Sequence, residues 1–356
     1  MFDFLKVSKT WDSKKQRYVY SPVFIIRSTI KDLMIRSKDF YAIYNEETGL
    51  WEKNEARAIE LIDAQVKAYA EKDSGEAMND EMHGPLVKRL ADTENRLIGQ
   101  WHVYCQKDMR DTWAPLDQKV LFSNQTPKRE DYATKVLDYP FQEEPTPAYD
   151  EMCSVWYLPD EQQKWEWYVG CELAGDATKV QKAIIFYGEP GTGKSSIAEI
   201  IIGQEIFGGK DFYAGSFDAT ALAESKDSFG TDFLEDDPAV AIDGEAKMSV
   251  INARGTFNKI ISHESVRVNA KFKATYYIKP AVLLIMCAND PIQISPNSGL
   301  RRRIIDIQPT GNLISPDRYD WLMHQIHFER SGIAWRCLQT YKKLGRHTMI
   351  IMSLKT

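Results

Sequence analysis

The sequence predicts an α/β fold, a mostly parallel sheet flanked by helices around a phosphate-binding loop, preceded by a smaller, mainly helical N-terminal domain. Three observations carry this prediction. The apolar run KAIIFYG passes directly into GEPGTGKSS at 188–196 and then into the helix-compatible SSIAEIIIG. Further apolar runs, AVAID at 239–243, AVLLIMCAND at 281–290 and RRRIIDI at 301–307, read as strands separated by helical segments, the alternation of a parallel sheet. Before residue 150 the apolar spacing is mainly that of helices.

In chain order, YNEETGLW at 44–51 sets a Thr-Gly turn between aromatic stretches and reads as a hairpin. EARAIELIDAQVKAYAEK at 55–72 puts Ile59, Ile62, Val66 and Tyr69 on one helical face, and PLVKRLADTENRLIGQWHVYC at 85–105 is a second expected helix. From 126 to 150 the chain turns Pro-, Asp- and Glu-rich, which places a boundary near 150 between an N-terminal domain, 1–150, and a phosphate-loop domain, 151–312. EQQKWEWYVGCELAG at 161–175 leads as a helix into the first strand of that domain. Residues 313–356 read as C-terminal helices: SPDRYDWLMHQI with Ser315 as N-cap and Pro316 in the first turn, then SGIAWRCLQTYKK ending at Gly345.

Residues 188–195 satisfy G-x-x-x-x-G-K-[ST]. Gly188, Gly191 and Gly193 would let a nucleotide-binding loop of Gly188, Glu189, Pro190, Gly191, Thr192 and Gly193 turn its N–H groups inward, all but Pro190 having one to offer, and the helix opening at Ser195 and Ser196 adds its positive end. Lys194 would reach the β- and γ-phosphates, and the Ser195 hydroxyl would sit on Mg²⁺. Hydrolysis needs more than a loop: a carboxylate for the metal and a group to orient water. VAIDGE offers Asp243 for Mg²⁺ and Glu245 to polarise the water, on one face if the strand persists that far. Asn289, at the end of the next strand, would sense the γ-phosphate or position the water, and one of the three arginines at 301–303 could stabilise transition-state charge.

Composition bounds the rest. With 356 residues and 43% hydrophobic content the chain can bury a large core. Its longest clean apolar run, AVLLIMCA, is far too short for a bilayer, no signal peptide is recognised, and five scattered cysteines without a C-x-x-C pair argue against disulfides or zinc, so a soluble protein of a reducing cytoplasm is expected. A net charge of −6 gives no global nucleic-acid signal, yet residues 251–280 carry six Lys and Arg against Glu264, a local +5.

Taken in order, GEPGTGKSS, AVAIDGE, ISHESVRVNAKFKATYYIKP, LLIMCAND and GLRRRIIDI resemble motifs A, B, B′, C and the arginine-finger segment of superfamily 3 helicases of the AAA+ class, in the phage and plasmid primase-helicase branch that includes poxvirus D5-type proteins. FYAIYNEETGLW, VLFSN and ERSGIAWRCL resemble that branch's flanking segments, and the narrower likeness is to the C-terminal helicase region of a phage primase-polymerase. The resemblance implies an ATP- and Mg²⁺-dependent DNA helicase acting in phage or plasmid replication. It would be a homo-oligomeric, hexameric ring with nucleotide between subunits, in a bacterial host cytoplasm. It further implies a finger acting on the neighbour's nucleotide, with Arg302 favoured over Arg303, and a B′ hairpin gripping single-stranded DNA through Lys271, Phe272 and Lys273 at its tip. Relatives usually carry adjacent acids or a lone glutamate in motif B, whereas Gly244 here separates Asp243 from Glu245, leaving their division of labour open. Residues 1–150 show no zinc ligands or clustered catalytic acids, so any primase or polymerase activity would lie on a longer polypeptide or a partner. The competing reading is a nucleotide-switched DNA-binding or loading ATPase that does not unwind.

Overall fold

In the computed structural model the described residues are 5–24, 32–36, 39–60, 64, 103, 107, 113–224, 228–246, 255–269, 275–290, 300 and 302–346. The chain divides into two compact units, Met1–Ala114 and Pro115–Thr356.

Strands β1 (Leu5–Asp12) and β2 (Arg17–Phe24) of the first unit form an antiparallel ribbon. Its turn is held by Asp12, whose carboxylate accepts the Lys14 and Lys15 N–H groups, with Gln16 at φ 49°. Strands β3 (Leu33–Arg36), β4 (Asp39–Asn45) and β5 (Leu50–Glu52) form an antiparallel sheet. The β4–β5 connection is the expected hairpin, with Gly49 at φ 71° donating its N–H to the Asn45 carbonyl at 2.9 Å. Beyond the expected hairpin, the described part of this unit contains three strands, β1 to β3, that the sequence reading does not predict. All four residues of β3 are buried, so the period-two alternation that identifies a strand is missing there. Of the expected helix at 55–72, residues 55–60 are helical. The one expected at 85–105 lies, apart from Val103, which is helical, outside the described residues.

The second unit is built on five parallel strands: β6 (Ala183–Tyr187), β7 (Ala214–Ser216), β8 (Val240–Asp243), β11 (Leu283–Ala288) and β12 (Ile304–Ile307), in the order β12-β6-β11-β8-β7. Every residue of β11 and all but the last of β6 are buried, the continuous apolar reading of strands covered on both faces. Helices α1 (Pro147–Trp156), α2 (Pro159–Leu173), α3 (Ser196–Ile206) and α6 (Pro316–Leu344) supply that cover. Short helices α4 (Ala219–Glu224) and α5 (Gly255–Ile261) follow β7 and β8, and β9 (Val266–Val268) pairs antiparallel with β10 (Tyr276–Ile278).

The units divide at 114/115, ahead of the position near 150 that composition suggests. Val120, Phe122, Leu137 and Tyr139 belong to the core around the parallel sheet, and the Tyr139 hydroxyl donates to the Ile206 carbonyl at 2.6 Å. Polar composition marks this stretch as a connection, but its aromatics are spent on the core. The two helices expected after residue 313 are one, α6. Gly332 is its midpoint glycine, and a Cβ there would lie 2.4 Å from the Glu144 carbonyl oxygen, so the glycine serves close approach rather than a break. One turn earlier Glu329 accepts the Ala148 and Tyr149 N–H groups, each at 2.9 Å, and so caps α1 from a distant helix.

Glu172 on α2 is 2% exposed, has an unpartnered carboxyl oxygen, and burial pushes its pKa well above the ordinary value. The folded state thus binds this proton more tightly than the unfolded chain, so its stabilisation is complete at low pH and is lost as pH rises. Glu172→Gln is expected to raise Tm at about pH 8, with the gain over wild type shrinking as pH falls towards 4.5, measured by thermal melts across pH.

Candidate nucleotide site

All five strands of the parallel sheet run the same way, so their C-terminal ends share one edge. The candidate phosphate loop, 188–195, leaves β6 there. Gly188 donates its N–H to the Ala288 carbonyl at 3.3 Å, which ties the start of the loop to the end of β11 and brings exposed Asn289 beside it. Gly191 and Gly193 stand at φ 80° and 85°, a region that only glycine enters cheaply. Gly193 is also denied a side chain by its surroundings: a Cβ would lie 2.3–2.7 Å from indole carbons of Trp156, the last residue of α1. The loop is closed on itself by the Thr192 hydroxyl, which donates to the Glu189 carbonyl at 2.7 Å. Lys194 folds across it, its Nζ donating to the carbonyls of Gly188 and Glu189 at 2.6 and 2.8 Å, and burial lowers its pKa. Pro190 and Ser195 are exposed on the loop.

Helix α3 then carries the chain away with a wide winding, as in the Phe207 N–H bond to the Ile202 carbonyl. Its first residue, Ser196, shares a hydrogen bond of 3.0 Å with the Tyr319 hydroxyl of α6, and Pro309 abuts Gly188. The segment after β12 therefore wraps the loop.

Strand β8 delivers Asp243 to the same edge, one strand beyond β11. Its two carboxylate oxygens accept the N–H groups of Ala219 at 2.8 Å and Glu245 at 3.0 Å; burial raises its pKa above the ordinary value despite these bonds. The strand ends at Asp243, so Glu245 is placed by the turn its own N–H makes with Asp243 rather than by strand alternation, and its side chain is exposed. Cys287 sits beneath, buried, its thiol pushed up to about 12 by burial and by Glu199, with Lys194, Asp243 and a Ser195 hydrogen bond also acting on it. Loop lysine, loop serine and strand aspartate thus converge on one corner. Hard oxygen donors gathered there, Ser195 and Asp243 with Glu245 close by, suit Mg²⁺. Among the described residues no three His, Cys, Asp or Glu side chains converge to hold a metal by themselves, so these donors fit an ion that arrives with phosphates and its own waters.

Arg302 and Arg303 are not brought to this corner. They precede β12, and the Ala183 N–H donates to the Arg303 carbonyl at 2.8 Å, at the start of β6. Five residues separate Ala183 from Gly188, roughly 16 Å along a strand. At that opposite edge Lys179, Lys182, Arg302, Arg303 and Arg346 line a cavity of about 330 Å³. Lys182 donates to the Arg302 carbonyl, Arg303 donates to Asn258 at 3.2 Å, and the Arg303 Nε is buried without a partner. Burial and the neighbouring Arg302 lower the pKa of both Lys182 and Arg303, the mark of cations crowded together. Lys271, Phe272 and Lys273 lie outside the described residues, but the strands expected to flank them are β9 and β10, paired through Val268 and Tyr276. Sequence reasoning missed Trp156, Glu199 and Lys182, whose sites depend on contacts between distant segments.

A family model described as a family of unknown function (DUF5906) matches residues 186–303, from the last residues of β6 to Arg303. No curated protein matches the chain. Among solved structures it is similar to two apo forms of the NrS-1 C-terminal region, at 15% and 14% identity, each with a TM-score of 0.42 over 66% of this chain and 64% of the other. The chain thus spans less than two thirds of the length of those structures. No helix among the described residues is long and apolar enough to cross a membrane.

The Trp156–Gly193 contact generates a stability prediction. Gly193→Ala should destabilise the fold by about 1–3 kcal/mol through overpacking and Trp156→Ala by about 3–5 kcal/mol through cavity formation. Denaturant melts of the double variant should show less than the sum, because removal of the indole frees the space the new methyl needs.

Proposed function

We propose that the chain is an ATP-dependent DNA helicase that hydrolyses ATP at interfaces between copies of itself, as a homo-oligomeric ring translocating on single-stranded DNA in phage or plasmid replication. The observation that carries this reading is the placement of the phosphate loop and of Arg302–Arg303 at opposite edges of one parallel sheet. An arginine at the far edge cannot serve the nucleotide of its own loop, but two copies packed edge to edge would bring one copy's cationic cavity to the other's phosphates.

In such a site Lys194 and the loop N–H groups bind the β- and γ-phosphates. Ser195 and Asp243 would hold Mg²⁺, which would supply charge neutralisation on the phosphates. Glu245 orients a water whose oxygen bonds to the γ-phosphorus as the bond from that phosphorus to the β–γ bridging oxygen breaks, and Asn289 positions the water or senses the γ-phosphate. Arg302, with Arg303, stabilises the charge that develops on the neighbour's phosphates. DNA is assigned to the segment between β9 and β10, where Lys271 and Lys273 would meet phosphates and Phe272 would stack on a base or sugar.

Lys194→Ala and Arg302→Ala are each expected to abolish DNA-stimulated ATP hydrolysis and strand displacement. Mixed in equal amounts the two should regain hydrolysis, because about a quarter of interfaces then pair an intact loop with an intact arginine. Wild type that hydrolyses ATP in response to DNA yet opens no duplex of either polarity would refute unwinding, and mixtures that stay inactive would refute the shared site.

A further inference from the structure

Gly244 interrupts the acids of VAIDGE, and its backbone gives no reason for a glycine: it is absent from the positive-φ positions of the described chain. Space supplies the reason. An ideal Cβ on Gly244 would lie 1.9 Å from Oε1 and 2.9 Å from Cδ of Glu199, so the carboxylate of α3 rests on the α-carbon between Asp243 and Glu245. Burial, then the charges of Glu245 and Asp243, hold the Glu199 carboxyl above its ordinary pKa. A helix residue with a solvent-facing role alone could turn outward, away from two acids, and nothing in the backbone of Gly244 would then require a glycine.

Resting on the nucleotide reading above, we propose that Glu199 is a positioning residue for magnesium, accepting a hydrogen bond from a water of the hydrated ion on the side of Gly244, while Asp243 holds the ion from β8. Mg²⁺ loses its waters reluctantly and is bound by few direct carboxylates, so a further acid one water away is where this chain can add affinity without a cage. The arrangement also accounts for the gap in the acid pair: Gly244 is the clearance through which the helix carboxylate reaches the ion's hydration shell. The charges of Glu245 and Asp243 act against the Glu199 carboxylate, and a hydrated divalent cation beside Asp243 would relieve that repulsion.

The test is the Mg²⁺ dependence of binding of a fluorescent, non-hydrolysable ATP analogue, with Tm recorded for each protein. Glu199→Gln keeps the shape and removes the charge. Gly244→Ala displaces the flexible end of Glu199 while leaving Asp243 and the fold in place. Both variants should need about 10-fold more Mg²⁺ than wild type for half-maximal binding, and neither should have a Tm below that of wild type. Variants that titrate with Mg²⁺ like wild type would overturn the role of Glu199 and leave the nucleotide reading standing. Wild type that binds no nucleotide at any Mg²⁺ concentration would overturn that reading, and this proposal with it.

Discussion

The indole of Trp156 fills the space that a side chain on Gly193 would occupy, and the candidate site depends on that contact. A loop that turns its N–H groups inward presents its outer surface to the protein, and here a rigid aromatic at the end of α1 supports it. The same helix is capped by Glu329 of α6, and α6 reaches the loop again through Tyr319 and Ser196. Thr310, between β12 and α6, donates its N–H to the Trp156 carbonyl at 2.7 Å. Helix α1, the segment after β12 and the long C-terminal helix are thereby one support, and a shift in any of them reaches the phosphate loop through packed atoms.

A parallel sheet has two chemically different edges, and this chain uses both. At the C-terminal edge of the strands stand the loop, Asp243 and Asn289; at the N-terminal edge stand Lys182, Arg302 and Arg303. The first sets Glu199, Asp243 and Glu245 against one another beside the loop, and the second gathers cations around a buried, unpartnered guanidinium nitrogen. Each edge holds like charges that burial makes costly. A phosphate-bound metal would relieve the first and a phosphate the second, so the proposed interface between copies would satisfy both at once.

Much of this was legible in the sequence because motifs sit where strands end. The strands that end at or beside Gly188, Asp243 and Asn289, and the one that follows the arginines, fall within a few residues of their expected positions, and the antiparallel arms beside Lys271 were visible as SVRVN and ATYYIK. What was not legible is contact across the chain. Trp156 lies 37 positions before Gly193 and carries no motif, and Glu199 reads as one more polar residue on a helix until Gly244 is seen to make room for it. Strand β3 escaped because it is buried at consecutive positions, whereas the period-two spacing of Leu5, Val7 and Trp11 in β1 is a strand signal that the helical reading of this region passed over.

The central claim is that two copies complete one nucleotide site, and particle images of the protein with a non-hydrolysable ATP analogue, Mg²⁺ and single-stranded DNA test it directly. The account predicts a closed ring in which Arg302 or Arg303 of one copy meets the phosphates held by Lys194 of the next, with Lys271 or Lys273 lining the channel. A monomer, or a ring whose arginine edge faces solvent while the phosphate loop is filled, would contradict it.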